Sequence, residues 1–278
     1  MRILVTGGKG QLGRALQRVL VQETTLFTDL EEMDITDFAA TRQVITEFNP
    51  TVVIHGAAHT NVDGCELNPD AAYLVNALGT QYVALACQAV GAAMVYVSTN
   101  CVFDGTKTTP YLEFDLPNPI SVYGASKLAG ERIVQSVLNR FYIVRTSWLY
   151  GEGGRNFPNT VIKLAEERDS LDMVNDEVSS PTYAFDLAQA LARLIDVPAY
   201  GIYHLSNAGA CSRYEFAAEA LRLAGKGDFC LRPISLRDYV RPSKPPLYSP
   251  LRNFCAARLG IEMRPWQEAL RDFVCSSR

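Results

Sequence analysis

Histidine is scarce, three residues among 278, and tryptophan scarcer, at two. The three histidines share no metal-ligand spacing, so no metal site is expected. His55 closes an apolar run and reads as a structural residue. The seven cysteines are odd in number and contain no C-x-x-C pair, which points to small buried thiols in a reducing compartment rather than a disulfide framework. A basic stripe is missing too. Lys107, Lys127, Lys163, Lys226 and Lys244 are scattered, and the net charge is −4, so no nucleic-acid partner is expected. No apolar run reaches membrane-spanning length, and glycines break the first run after Thr6, unlike a signal peptide. A cytoplasmic, soluble protein with no membrane partner follows as the expectation. There is no internal repeat and no low-complexity tract. With 48% hydrophobic residues, the chain has a core sufficient for one large domain, or for one domain with a smaller companion.

The first motif follows a short apolar run. Arg2–Thr6 reads as a strand buried on both faces, Gly7-Gly-Lys-Gly-Gln-Leu-Gly13 as a turn, and Arg14–Val21 as a helix with Leu16, Val19 and Leu20 on its apolar side. Gly8, Gly10 and Gly13 give G-x-G-x-x-G; Gly7, Gly10 and Gly13 give G-x-x-G-x-x-G. In a strand–turn–helix context these glycines let a dinucleotide pyrophosphate approach the backbone, with the helix N-terminus supplying N–H groups and partial positive charge. Thr25–Asp29 reads as a second strand. Its last residue, Asp29, lies 22 positions after Gly7, where a carboxylate accepts hydrogen bonds from ribose hydroxyls. Lys9 and Arg14 could offset that acid, so both NADH and NADPH stay open as cofactor.

Further on, Ile35–Phe48 reads as helix with Asp34 at or before its start, Val52–His55 as a third strand, Pro69–Val90 as a long helix carrying Asn76, and Met94–Ser98 as a fourth strand. Ile143 and Val144 belong to a fifth. The repeated strand–helix order predicts an α/β fold with a doubly wound parallel sheet, Rossmann-like, over residues 1–147. Between the fourth and fifth strands, Tyr123 and Lys127 stand four residues apart in a helical segment, hence on one face. A fixed cation beside a phenol lowers its pKa, so this pair is suited to moving a proton near neutral pH.

After Trp148 the pattern changes. A glycine-rich loop over 151–156 precedes helices at 156–168, 183–195, 213–223 and 265–274, a short strand at 201–206 and a proline-rich stretch at 241–246. Residues 148–278 are expected to form mainly a smaller substrate-binding cap, with some segments returning to the main sheet. A cleft between the two parts would hold a small molecule.

Thr99, at the end of the fourth strand, completes a hydroxyl–phenol–ammonium set with Tyr123 and Lys127. That set and the glycine turn resemble the extended branch of the short-chain dehydrogenase/reductases. The resemblance narrows with Met33-Asp-Ile-Thr-Asp37, Ala57-Ala-His-Thr60, Val102-Phe-Asp-Gly105, Tyr123-Gly-Ala-Ser-Lys-Leu-Ala-Gly-Glu131, Arg145-Thr-Ser-Trp-Leu-Tyr150 and Asn156-Phe157. Toward the C-terminus it continues through Arg241-Pro242, Tyr248-Ser249, Leu251-Arg-Asn253 and Pro265-Trp266. Over nearly its whole length the chain is similar to the dTDP-4-dehydrorhamnose reductase family.

That resemblance implies reduction of the 4-keto group of dTDP-4-dehydro-L-rhamnose, or a close 4-keto-6-deoxy nucleotide sugar, by NADPH or NADH. It implies that Tyr123 protonates the developing alkoxide, that Lys127 holds the ribose and lowers the tyrosine pKa, and that Thr99 hydrogen-bonds the keto oxygen. Gly7, Gly10, Gln11, Leu12, Gly13, Asp29, Asp34, Ile35, Ala58, His59 and Thr60 would line the cofactor, and Trp148 would pack on the sugar nucleotide. One departure stands out. The family reads S-T-D-Y-V-F-D-G where this chain has Ser98-Thr-Asn-Cys-Val-Phe-Asp-Gly105, so Asn100 takes the place of an acid expected to face the sugar and Cys101 that of a tyrosine, which leaves the sugar preference open. Two readings share the fold: a nucleotide-sugar epimerase or dehydratase with tightly held NAD, and a non-catalytic regulatory subunit. The intact Thr99–Tyr123–Lys127 set weighs against the second. The dTDP-sugar is the expected small-molecule partner, and a homodimer is the one protein assembly entertained.

Overall fold

The computed structural model describes residues 1–154 and 156–276. Strand and helix alternate through β1 (Arg2–Thr6), α1 (Gln11–Val19), β2 (Thr24–Thr28), α2 (Phe38–Phe48), β3 (Val52–His55), α3 (Thr80–Val90), β4 (Ala93–Thr99), α4 (Val122–Val137) and β5 (Phe141–Thr146). A sixth strand, β6 (Gly201–His204), comes from the second half and pairs with β5. The order is β6-β5-β4-β3-β1-β2 and every pairing is parallel. The chain winds from β1 outward to β2, then from β3 in the opposite direction. The crevice at β1 and β3 is therefore the switch point, where ligands of such sheets lie.

Alternation along each strand buries both faces. Ile3, Val5, Ile54, Val95 and Val144 pack with Leu16 of α1 and Leu191 on one side. Leu4, Val53, Met94 and Ile143 pack with Ile45 of α2 and Val83 of α3 on the other. Each such side chain contributes roughly 1.5–3 kcal/mol of burial, which is what holds the strand ends in register. The longer helices of the second half are α5 (Phe157–Glu167), α6 (Ala184–Ile195), α7 (Arg213–Leu223) and α8 (Trp266–Ser276). Of these, α6 joins the sheet core through Leu187 and Leu191. Helices α7 and α8 enclose an aromatic cluster of Tyr150, Tyr183, Phe216, Trp266 and Phe273.

Several boundaries differ from the periodicity reading. Helix α1 begins at Gln11, directly on Gly10. Helix α2 begins at Phe38 because Asp37 caps it, accepting from Ala40 N at 3.0 Å, while Asp34 closes a turn ahead of it on Thr36. The long helix at 69–90 is interrupted by a π-helical turn, Leu74–Gly79. The glycine-rich loop expected over 151–156 includes position 155, which lies outside the described residues. Among the described residues, no helix is long and apolar enough to cross a membrane.

Two histidines are locked in as neutral groups. The Thr80 hydroxyl donates to the Asn76 carbonyl at 2.8 Å, so it accepts from His55 Nε2 at 3.2 Å. His55 Nδ1 must then accept from the Thr6 hydroxyl at 2.7 Å. Burial, with the Lys127 charge adding to it, pulls the His55 pKa down to about 3. Burial, with Arg145 beside it, does the same to His204. A folded pKa below the unfolded value near 6.5 means that the unfolded chain binds more protons. The contribution is complete above pH 6.5 and is lost as pH falls toward 3. Between pH 7 and 5 each histidine is expected to cost about 2 kcal/mol of stability. Urea unfolding at the two pH values checks this; equal midpoints would refute it.

Candidate active site

A cleft of about 780 Å³ runs across the carboxyl ends of β1, β3 and β4. Its floor is the glycine turn. Gly7 takes φ +73°, and a Cβ on Gly13 would sit 2.4 Å from the Gly7 carbonyl oxygen, so α1 reaches the strand only because both are glycine. No side chain caps α1 and no acid stands in its first turn. By contrast Asp37, Ser121 and Asn156 cap their helices. An uncapped N-terminus at the mouth of a cleft is a site for a phosphate.

The wall beside it carries Asp29, which accepts from Lys9 N and Leu30 N, both at 2.9 Å. Lys9 Nζ contacts Glu31 and Glu32 rather than Asp29. Asp34, Ile35, Ala58 and Thr60 line the same cleft, with Gly10, Gln11 and Leu12. His59 does not. Its ring meets Cys65 Sγ at 3.0 Å, and its backbone N–H is held by Asn76 Oδ1 at 2.8 Å. Asn76 Nδ2 donates to the His59 carbonyl and to Ser126 Oγ on α4. The fully buried Asn76 thus clamps the loop after β3 to the helix of Tyr123 and Lys127. In the sequence Asn76 is only an amide within a largely apolar helical run, and the π-helical turn that places it leaves no signal there.

Thr99, Tyr123 and Lys127 converge on the cleft, joined by Thr146, Ser147 and Trp148. Helix α4 comes this close because Gly124 packs on the turn after β4; a Cβ there would lie 2.1 Å from the Cys101 carbonyl oxygen. Lys127 Nζ stands 4.1 Å over the Tyr96 ring. Burial pulls the Lys127 ammonium down to about 7, with Glu131 opposing. Burial pushes the Tyr123 phenol above its ordinary range, with the Thr99 hydroxyl pulling the other way. The cation effect expected of Lys127 does not figure among these influences; desolvation sets the direction. Tyr123 keeps its proton at neutral pH, which suits a proton donor.

Two features of the substrate side were not legible beforehand. Asn100 turns away from the cleft: it is 3% exposed, and its amide meets Ser179 and Ser249 rather than open space. Trp148 adopts φ +43°, a left-handed conformation costly for a bulky residue. The Arg213 guanidinium lies 3.5 Å over its ring and pairs with buried Glu177.

The doubly wound sheet, its glycine turn and the Thr–Tyr–Lys set over one cleft define an oxidoreductase of the extended short-chain dehydrogenase/reductase class. Residues 1–278 match the RmlD substrate binding domain family. The chain belongs to that family, the dTDP-4-dehydrorhamnose reductases. It is 41% identical to the spore coat polysaccharide biosynthesis protein SpsK of Bacillus subtilis, over 98% of this chain and 96% of that one. A crystal structure of a dTDP-4-dehydrorhamnose reductase from Clostridium acetobutylicum superposes with a TM-score of 0.96 at 42% identity, covering 100% and 99% of the two chains. The Bacillus anthracis dTDP-4-dehydrorhamnose reductase, solved in complex with NADP, gives 0.95 at 40% identity, covering 100% and 99%.

The uncapped helix, the glycine cradle and Asp29 fit a nicotinamide dinucleotide. Gly13→Ala is expected to raise the NADPH dissociation constant about tenfold or more, since the new methyl meets backbone that cannot yield. Fluorescence titration measures it, and an unchanged affinity would overturn the cradle.

Proposed function

We propose that this protein reduces the 4-keto group of dTDP-4-dehydro-L-rhamnose, or a close 4-keto-6-deoxy nucleotide sugar, with NADPH or NADH. The observation that carries the reading is the protonated Tyr123 phenol beside Thr99 and Lys127, in a cleft shared with a glycine turn. When bound, the nicotinamide supplies the hydride. Tyr123 then gives its proton to the carbonyl oxygen as negative charge develops there; an alkoxide is far more basic than a phenolate, so the transfer runs downhill. Lys127, on the same helix face, stabilises the resulting phenolate and holds the ribose hydroxyls. Thr99, lining the same cleft, hydrogen-bonds the keto oxygen. Gly7, Gly10 and Gly13 admit the pyrophosphate, and Asp29 receives the adenosine ribose.

In this reading residues 1–147 bind the dinucleotide and the segment from 148 onward binds the sugar nucleotide. Trp148 supplies a flat apolar face for it, held by the Arg213 stack. The epimerase and dehydratase reading gains no support from the solved structures bearing those names: their identities of 24% and 19% speak for the fold alone.

The protein mixed with NADPH and a dTDP-4-keto-6-deoxy sugar is expected to lose absorbance at the nicotinamide band. No oxidation with any such sugar sinks the proposal. Tyr123→Phe removes only the proton donor, so turnover is expected to fall roughly 100-fold or more, with NADPH affinity within about twofold of wild type. A variant that retains its turnover would deny the phenol its role.

A further inference from the structure

The adenosine end of the cleft lies where the glycine turn meets the chain leaving β2. NADPH differs from NADH only there, by a phosphate on the adenosine 2′-oxygen that carries close to two negative charges at neutral pH. Asp29, at that end of the cleft, is held by the backbone. Its Oδ2 accepts from Lys9 N and its Oδ1 from Leu30 N, both at 2.9 Å. Each oxygen keeps a further lone pair, which suits the two hydroxyls of an unphosphorylated ribose. A phosphate dianion brings no proton for them.

Glu32 is fixed beside Asp29. Its Oε2 accepts from Asp29 N at 2.9 Å, and Glu32 N donates back to the Asp29 carbonyl at 3.1 Å. Lys9 is already engaged: its Nζ pairs with Glu31 and, at 3.1 Å, with Glu32. Arg14 Nε is turned to the Lys9 carbonyl at 3.0 Å. An exposed pair such as Lys9–Glu31 is weak, so Lys9 can swing toward a phosphate at little cost. The balance of charge decides against that phosphate all the same. Asp29, Glu31, Glu32 and Asp34 stand within six residues, while among the described residues lining this end of the cleft Lys9 is the sole cation. The rim stays negative wherever Lys9 points.

We propose that this site takes NADH in preference to NADPH, with Asp29 as the selecting residue and with Glu31 and Glu32 engaging the lysine that would otherwise offset it. The held carboxylate accepts from the ribose hydroxyls and repels a phosphate in their place, so attraction and repulsion discriminate in the same direction. Asp29 is half-buried, whereas Glu31 is 82% exposed, so solvent screens the outer glutamate more and Asp29 carries the larger share.

The inference rests on the reductase reading and names its preferred coenzyme, but its test needs no sugar. Fluorescence titration of the purified protein with NADH and with NADPH gives the ratio of the two dissociation constants. NADPH is expected to bind about tenfold more weakly or worse. Raising the salt from about 0.01 M to about 1 M shortens the screening length from about 30 Å to about 3 Å, so the ratio is expected to fall about threefold. E31Q/E32Q is expected to lower the ratio about threefold, and D29N to bring it near unity. The two glutamates are on the surface, so their double variant keeps the question decidable if D29N does not fold.

Wild type that binds NADPH as tightly as NADH, or more tightly, would overturn the proposal. So would a ratio that rises with salt, the mark of a phosphate drawn to a cation, or a ratio that neither D29N nor E31Q/E32Q changes. A protein that binds neither dinucleotide removes the reductase reading and this inference together. One that binds NADH at least tenfold more tightly than NADPH, yet oxidises it with no dTDP-4-keto-6-deoxy sugar, sinks the reductase reading alone.

Discussion

The buried pair Glu131–Arg145 decides where the helix of Tyr123 and Lys127 lies. Arg145 on β5 donates through Nε and Nη2 to the two carboxylate oxygens at 2.9 and 2.7 Å, and Ser98 on β4 donates to the same carboxylate at 2.5 Å. Neither ionic side chain is more than 2% exposed. Such a pair adds little net stability, because desolvation cancels much of the attraction, but breaking it leaves an uncompensated charge at a cost of about 3–5 kcal/mol. Its consequence is geometric. One residue of α4 is pinned to two adjacent strands a single turn from Lys127, and the carboxylate is the group that opposes the desolvation of that lysine. The helix can then pack with glycine at 124 against the Cys101 carbonyl, which brings Tyr123 to the end of β4.

A second chain of polar contacts runs beneath the cleft. Ala57 N donates to the Thr6 hydroxyl, Thr6 to His55, His55 to Thr80, and Thr80 to the Asn76 carbonyl. Asn76 in turn holds His59 and Ser126. Every hydroxyl in the series spends its proton in one direction, so the order of donors is set throughout. The glycine turn, the loop after β3 and the proton-donating helix are thereby indexed to one another without a charged group. Buried networks of this kind specify one arrangement when fully satisfied. They also make the site sensitive to acid, since a second proton on His55 would remove the acceptor that Thr6 needs.

The doubly wound sheet was legible because each strand is a short apolar run and each helix carries its own periodicity. The glycine turn, Asp29 and the Thr99–Tyr123–Lys127 set were legible because the groups that define them sit at fixed local spacings. Orientation was not. Asn100 reaches a serine 149 residues away, and no local pattern encodes that pairing. His59 faces Cys65 because Asn76 captures both of its backbone groups, and Asn76 is presented by a π-helical turn that leaves no trace in the hydrophobic period. The pKa of Tyr123 was also read from one neighbour, Lys127, where the deciding influence is burial by the rest of the fold.

Trp148 shows how the strain of the substrate side is carried. A left-handed backbone at a bulky residue costs about 1–3 kcal/mol, and it survives only where its surroundings over-determine it. Here Leu149 and Tyr150, immediately after it, pair in parallel with Thr182 and Tyr183. Tyr150 is buried in the aromatic cluster with Phe216 and Phe273. Arg213, held by Glu177, covers one face of the indole at 3.5 Å. The chain leaving β5 is therefore fixed on both sides of the strained residue, by the sheet before it and the aromatic cluster after it. Trp148, so held, lines the cleft together with Thr99 and Tyr123.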